Sequence, residues 1–184
     1  VFVDREPAGI TSDAVVSDNA DGAALATRHL LEQGHRRIAY LGDRHDIQTA
    51  RERHRGYLDE LGRAGVSTRD QQVVEGLHDE ATSRTATLAL FDAPNPPTAI
   101  FSSQNLVTIG VIRALRELGR QHDTALVGFD DVPLGDLLEP VLPVEGEERP
   151  VDTLHAEADR AMSLRPRRLE ERGHRVLVER LADR

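Results

Sequence analysis

Between Ala14 and Leu61 the chain twice exchanges a short apolar run for a longer amphipathic one, and this exchange restricts the possible folds more than any single residue. AVVSDN is a β-branched run ending in polar residues. GAALATRHLLEQ follows with helical spacing, Leu25, His29 and Leu31 fall to one side, and Gly34 stops it. RRIAYLGD is apolar over the length of a strand, RHDIQT is a loop, and ARERHRGYLDEL is a second helical stretch. Two short buried strands joined by a helix form a βαβ unit, which implies a parallel sheet with helices packed on it.

The alternation continues in both directions. VFVDR (1–5) reads as a buried strand whose end carries Asp4 and Arg5, and Pro7, Gly9 and Ser12 make the connection that follows. Downstream come a strand in QQVVEGL (71–77), a helix over 81–91 broken by PNPP (94–97), and a strand in TAIFSS (98–103). A helix over 106–119 closed by Gly119 and a strand in TALVGFDD (124–131) complete the series. The expected class is α/β, a doubly wound parallel sheet. Past Leu138 the pattern changes: EPVLPVEGEERP (139–150) carries prolines and acids and reads as a crossing linker, VDTLHAEADRAM (151–162) is amphipathic, and the remainder is charge-dense. A lobe boundary is expected at about residue 139.

Composition removes several functions. A chain of 184 residues with 39% hydrophobic content can bury a core of one domain or slightly more. No apolar run approaches a bilayer span, and VFVDREP has neither a basic nor an apolar leader region, so no membrane or secretion signal is expected. The start in a strand-like VFV without Met leads us to expect a preceding segment. Cysteine is absent, which rules out disulfides, a thiolate nucleophile and a zinc-thiolate site. All 23 basic residues are Arg, so a P-loop lysine and a Schiff-base lysine are excluded as well. A formal charge of -9 argues against a nucleic-acid surface built from this segment, because phosphates call for a basic face.

Polar residues gather where strands end. Ligands of open α/β sheets bind beyond the carboxyl ends of the strands, where loops and free helix N-termini collect. The candidates there are Asp4 and Arg5; Asp43 to Arg53; His78 and Asp79; Ser103, Gln104 and Asn105; and Asp130 and Asp131. Acids, Asn and Ser at such positions also cap the following helix, and this competing expectation stands beside the ligand reading for Asp18, Ser103 and Asn105. For Arg53 and Asp130 ligand contact is the preferred expectation.

Catalytic patterns are missing: the chain has no GxSxG, HExxH, Walker sequence or GxGxxG after a strand. Asp130 and Asp131, if extended, point to opposite faces and do not readily form an acid/base pair. His29 and His35, and His45 and His54, lack the i, i+4 spacing of a helical ligand pair, so solvated or structural roles are expected for them and no metal or cofactor is expected.

Taken together, VFVDR, VVSDNADGAALATRHLLEQGHRRIAYLGD, TARERHRGYLDEL, PTAIFSSQN with TIGVIRAL, and TALVGFDDVPLGDLLEP resemble, in order and spacing, the effector-binding core of the LacI/GalR family of bacterial transcriptional regulators. The most specific signal is GHRRIAYLGD with the downstream RHRGY and the strand VGFDD, and the resemblance covers about residues 1 to 140. It implies a two-lobed, periplasmic-binding-protein-like core that closes on a sugar or other small effector. It also implies an N-terminal helix-turn-helix reading an operator, a segment that residues 1–184 do not include. Asp4, Arg53 and Asp130 match effector-facing positions of the family. His78 stands where relatives place a stacking aromatic, and Gln104 where many have Asn, both as departures.

The organisation implied is a strand of the proximal lobe at 1–6, a distal effector-binding lobe at 7–138 and a return segment with tail at 139–184. The function implied is the sugar-binding and dimerisation core of a cytoplasmic LacI-type regulator, not an enzyme. Its expected partners are a small polar effector, a second copy as homodimer, and operator DNA through a headpiece outside this sequence, with no membrane. The alternative is a solute-binding protein of a sugar transporter with the same fold.

Overall fold

The computed structural model describes residues 2–3, 14–67 and 71–130. Its elements are β1 (Phe2–Val3), β2 (Ala14–Val15), α1 (Asn19–Glu32), β3 (Ile38–Leu41), α2 (Gln48–Arg63), β4 (Val73–Val74), α3 (Glu80–Asp92), β5 (Ala99–Ser102), α4 (Asn105–Glu117) and β6 (Ala125–Gly128). β3 to β6 form a parallel sheet in the order β4-β3-β5-β6. β1 and β2 pair in parallel as a separate two-stranded sheet. The stretch from Ala14 to Leu61 therefore spans two sheets, a correction to its reading as one βαβ unit. The unit that builds the larger sheet begins at β3.

Each central strand is buried on both sides, as the continuous apolar runs require. Ile38 and Tyr40 of β3 with Ala99 and Phe101 of β5 pack against Ala23, Leu30 and Leu31 of α1 and Tyr57 and Leu61 of α2. The alternate residues Ala39, Leu41 and Ile100 pack against Leu90 of α3 and Val107, Val111 and Leu115 of α4. The period of two along the strands thus sends successive side chains to opposite helix layers, and the fold is doubly wound. Each fully buried Leu, Ile or Phe contributes about 1.5–3 kcal/mol relative to exposure.

Helix ends follow local chemistry. Asp18 caps α1, its carboxylate accepting from Asp21 N at 3.2 Å, and Asp79 caps α3 by accepting from Thr82 N at 2.8 Å. Gly34 and Gly119 end α1 and α4 at φ 87° and 65°, the left-handed backbone expected of a helix stop. α1 begins three residues earlier than its apolar pattern suggests, and it buries Ala23, Ala24, Thr27, Leu30 and Leu31, leaving Leu25 and His29 half-buried. β2 and β4 are only two residues long, each shorter than the stretch read as a strand. The expected elements beyond residue 130, with Asp4, Arg5 and Asp131, lie outside the described residues.

Two glycines set how closely the helices pair. A Cβ on Gly56 of α2 would sit 2.1 Å from Ala20 O of α1, and one on Gly110 of α4 would sit 2.6 Å from Glu80 O of α3. Across the first pair, buried Glu60 accepts from Arg28 Nε at 2.7 Å and Nη2 at 3.1 Å, and from Arg63 Nη1 at 2.9 Å. Tyr57 closes the layer by donating its hydroxyl to Ile38 O at 2.7 Å.

Candidate functional site

The close approach at Gly56 has a consequence one helical turn away. With α2 seated against Ala20, Arg53 lies beside the start of α1 and donates from Nε to Asn19 Oδ1 at 2.8 Å. Asn19 is 1% exposed, and its amide nitrogen donates to Ser17 O at 3.2 Å and Glu52 Oε2 at 3.3 Å, which fixes the oxygen toward Arg53. Arg53 Nη1 then reaches across the sheet edge to Ser103 O at 2.6 Å and Asp130 Oδ2 at 3.1 Å. Its guanidinium carbon lies 3.9 Å from the centre of the Phe129 ring, a cation–π contact that covers one face of the cation.

Asp130 is placed by the backbone after β6. Phe129 N donates to Ser102 O at 2.8 Å, extending the β5–β6 ladder, and at Asp130 the chain turns into left-handed conformation with φ 66°. This corrects the expectation of extended backbone at Asp130, while Asp131 lies outside the described residues. The Arg53 side chain is 11% exposed and that of Asp130 41%. A buried, well-anchored donor is thus paired with a carboxylate that keeps lone pairs open to a ligand, an arrangement suited to adjacent hydroxyls.

Gln104 occupies the N-cap position of α4 without capping it. Its Nε2 instead donates to Asp43 Oδ2 at 3.2 Å, beyond β3, and to Leu77 O at 3.0 Å, beyond β4. The strand order reverses between β3 and β5, so this side chain spans the topological switch point, where open α/β sheets hold ligands. His78 follows Leu77; its side chain is 62% exposed, its Nδ1 donates to Gly76 O at 3.1 Å and its Nε2 lies 3.6 Å from Asp79 Oδ2. The Thr82 amide holds the Asp79 carboxyl below its ordinary range.

Of the sequence candidates, the structure joins Arg53 directly to Asp130, and it links Gln104 to the same edge through the neighbouring Ser103 carbonyl. His78 stands further out at the rim, and Asp4 lies outside the described residues. Capping explains Asp18. It does not explain Ser103, whose buried backbone carbonyl accepts from Arg53 instead. Asn105 accepts from Leu106 N at 2.7 Å, so its side chain is engaged with the adjoining backbone. Sequence reasoning missed Asn19 and Phe129, and it placed Asp43 at a strand end without giving it a role.

His45 and His54, for which solvated or structural roles are expected, share a partner. His45 Nδ1 and His54 Nδ1 lie 3.1 and 3.0 Å from the same atom, Glu75 Oε1. Their separation of nine residues hid this, because the loop after β3 folds back against α2.

The profile of the periplasmic binding protein-like domain matches residues 27–145. The chain is similar to the HTH-type transcriptional regulator GalR of Escherichia coli, 33% identical over 77% of this chain and 42% of that protein. It is also similar to the HTH-type transcriptional repressor PurR of Mannheimia succiniciproducens, 27% identical over 99% of this chain and 50% of that one. The chain thus spans about half the length of these curated relatives. Among solved structures it resembles a LacI-family regulatory protein from Chloroflexus aggregans, with TM-score 0.71 and 28% identity over 96% of this chain and 64% of that one. A sugar-binding LacI-family regulator from Escherichia coli, complexed with phosphate, gives TM-score 0.67 and 26% identity over 76% of this chain and 51% of that one.

Proposed function

Because the chain belongs to the periplasmic binding protein-like domain family, in the form found as the effector-binding core of LacI-family regulators, we propose that it binds a small polar effector, of the sugar class, and passes that signal to a DNA-binding segment. The observation that carries this reading is Arg53, anchored by Asn19 and Ser103 O and aimed at the open carboxylate of Asp130 beside the switch point. In this proposal Arg53 and Asp130 take neighbouring hydroxyls, Gln104 and His78 line the same cleft, and Asp4 closes it from the facing lobe. The lobes are 1–6 with the return segment after 138, and 7–138, and the assembly is a homodimer. Binding, not turnover, is the activity.

A regulator is preferred to a transporter's solute-binding protein because the curated relatives are transcription regulators. Among the described residues no helix is long and apolar enough to cross a membrane.

The test is calorimetric titration with a panel of pentoses, hexoses and disaccharides, made on the protein as its full reading frame encodes it. Hydrogen bonds to charged groups contribute about 1.5–3 kcal/mol each, so Arg53→Ala or Asp130→Ala should weaken binding roughly ten- to a hundredfold. If both variants fold and keep the parental affinity, the pocket is elsewhere.

A further inference from the structure

We propose that His45, His54 and Glu75 form a binding site for a zinc-class divalent cation, separate from the effector site. The three donors come from three elements: His45 from the loop after β3, His54 from α2, and Glu75 from the exit of β4. Their ligand atoms all lie within 4.8 Å of one another.

The donor spacing lies within reach of a tetrahedral ion. Zinc takes imidazole nitrogen and carboxylate oxygen at about 2.0–2.2 Å, so two donors on a tetrahedral ion stand about 3.3–3.4 Å apart. Glu75 Oε1 is 3.1 Å from His45 Nδ1 and 3.0 Å from His54 Nδ1, a few tenths short of that spacing. A small shift of His45 and Glu75, the more exposed of the three, admits the ion against the fixed His54 ring. Two His and one carboxylate leave the fourth position to water, and His45, with its side chain 64% exposed, keeps that position open to solvent.

The donors are also held in advance. The His54 ring stacks on the buried Tyr40 ring at 4.8 Å and 22°, and its Nε2 is buried without a partner among the described residues. Nδ1 is therefore the nitrogen of His54 with a polar contact. The His45 backbone is fixed by Arg51, whose Nη1 donates to His45 O at 3.2 Å and to Asp46 O at 2.9 Å. Glu75 sits between two backbone hydrogen bonds to one residue: Gly42 N donates to Val74 O at 2.9 Å, and Leu77 N donates to Gly42 O at 3.0 Å. A cation here would tie the loop after β3 to β4 and α2.

Imidazole with carboxylate suits zinc and its neighbours Co²⁺ and Ni²⁺, whereas Mg²⁺ prefers an all-oxygen shell. The test is titration of the chelator-treated protein with Zn²⁺ alone, read by calorimetry and by thermal unfolding, with Co²⁺ absorption reporting coordination geometry. Wild type should bind one Zn²⁺ and unfold at a higher temperature with it. Mg²⁺ should do neither, and Co²⁺ should give the intense visible bands of a four-coordinate site. His45→Ala and Glu75→Gln alter exposed side chains and leave the Tyr40–His54 stack in place; each should weaken Zn²⁺ binding a hundredfold or more and abolish the thermal shift. His122→Ala, at an exposed turn, should behave as wild type. Stoichiometric Zn²⁺ binding that survives in the His45→Ala, Glu75→Gln double variant, or no binding by wild type, overturns the proposal.

Discussion

Asp130 meets two demands, one on its backbone and one on its carboxylate, and they can be separated. Its φ of 66° is a conformation that Asn and Asp tolerate and Ala does not, at a cost of roughly 1–2 kcal/mol for a side chain with an ordinary Cβ. Asp130→Asn should therefore keep the unfolding temperature near wild type while reducing effector affinity, whereas Asp130→Ala should lower both. Equal unfolding temperatures for the two variants would show that the turn exerts no strain. The place of Asp130 at the end of a strand was legible in the sequence because it follows an apolar run. The turn itself was not, since nothing in GFDD marks where extension stops. Asn19 was hidden for another reason: at a helix start it reads as a cap, yet Asp18 takes that role and frees Asn19 to orient Arg53.

Among the elements, the pairing of α1 with α2 is what brings Arg53 to the sheet edge. Gly56→Ala forces a methyl against Ala20 O, where no flexible side chain can yield, so the destabilisation should reach the top of the ~1–3 kcal/mol range for overpacked cores. The same variant should reduce effector affinity although it touches no ligand, and denaturant unfolding followed by titration measures both effects. Glu60 in that interface gives stability a pH dependence. Hydrogen bonds from Arg28 hold its carboxyl below the ordinary range, so the folded state binds this proton less readily than the unfolded chain. Its contribution is full above the unfolded value of about 4.3 and disappears as pH falls through the lower folded value. Glu60→Gln should remove that part of the acid dependence, and urea midpoints for both proteins between pH 3 and 7 would reveal it; parallel curves contradict the assignment. Helix positions were readable from apolar spacing and glycine stops. Strand lengths were not, because how far an apolar run pairs depends on its neighbour, as β4 shows by pairing with β3 over two residues only.

For the whole molecule, alternating strands and helices were sufficient to read a doubly wound sheet, but strand order is invisible to periodicity and had to come from the structure. That order, β4-β3-β5-β6, puts the exits of β3 and β5 on either side of the switch point, which is why Asp43 and Gln104, 61 residues apart in sequence, share a hydrogen bond. The same architecture limits what this segment can do with DNA. Each of the four described helices buries residues in the domain interior. The net charge of -9 sets an unfavourable field around a polyanion. Residues 1–184 alone, titrated with an operator-sized duplex at low salt, should therefore show only weak association without sequence preference. Any affinity present should fall as salt is raised, as contacts between Arg and phosphate do. Nanomolar binding to one sequence, retained against competitor DNA, would require a recognition element within this segment and would contradict the assignment of DNA reading to a separate headpiece.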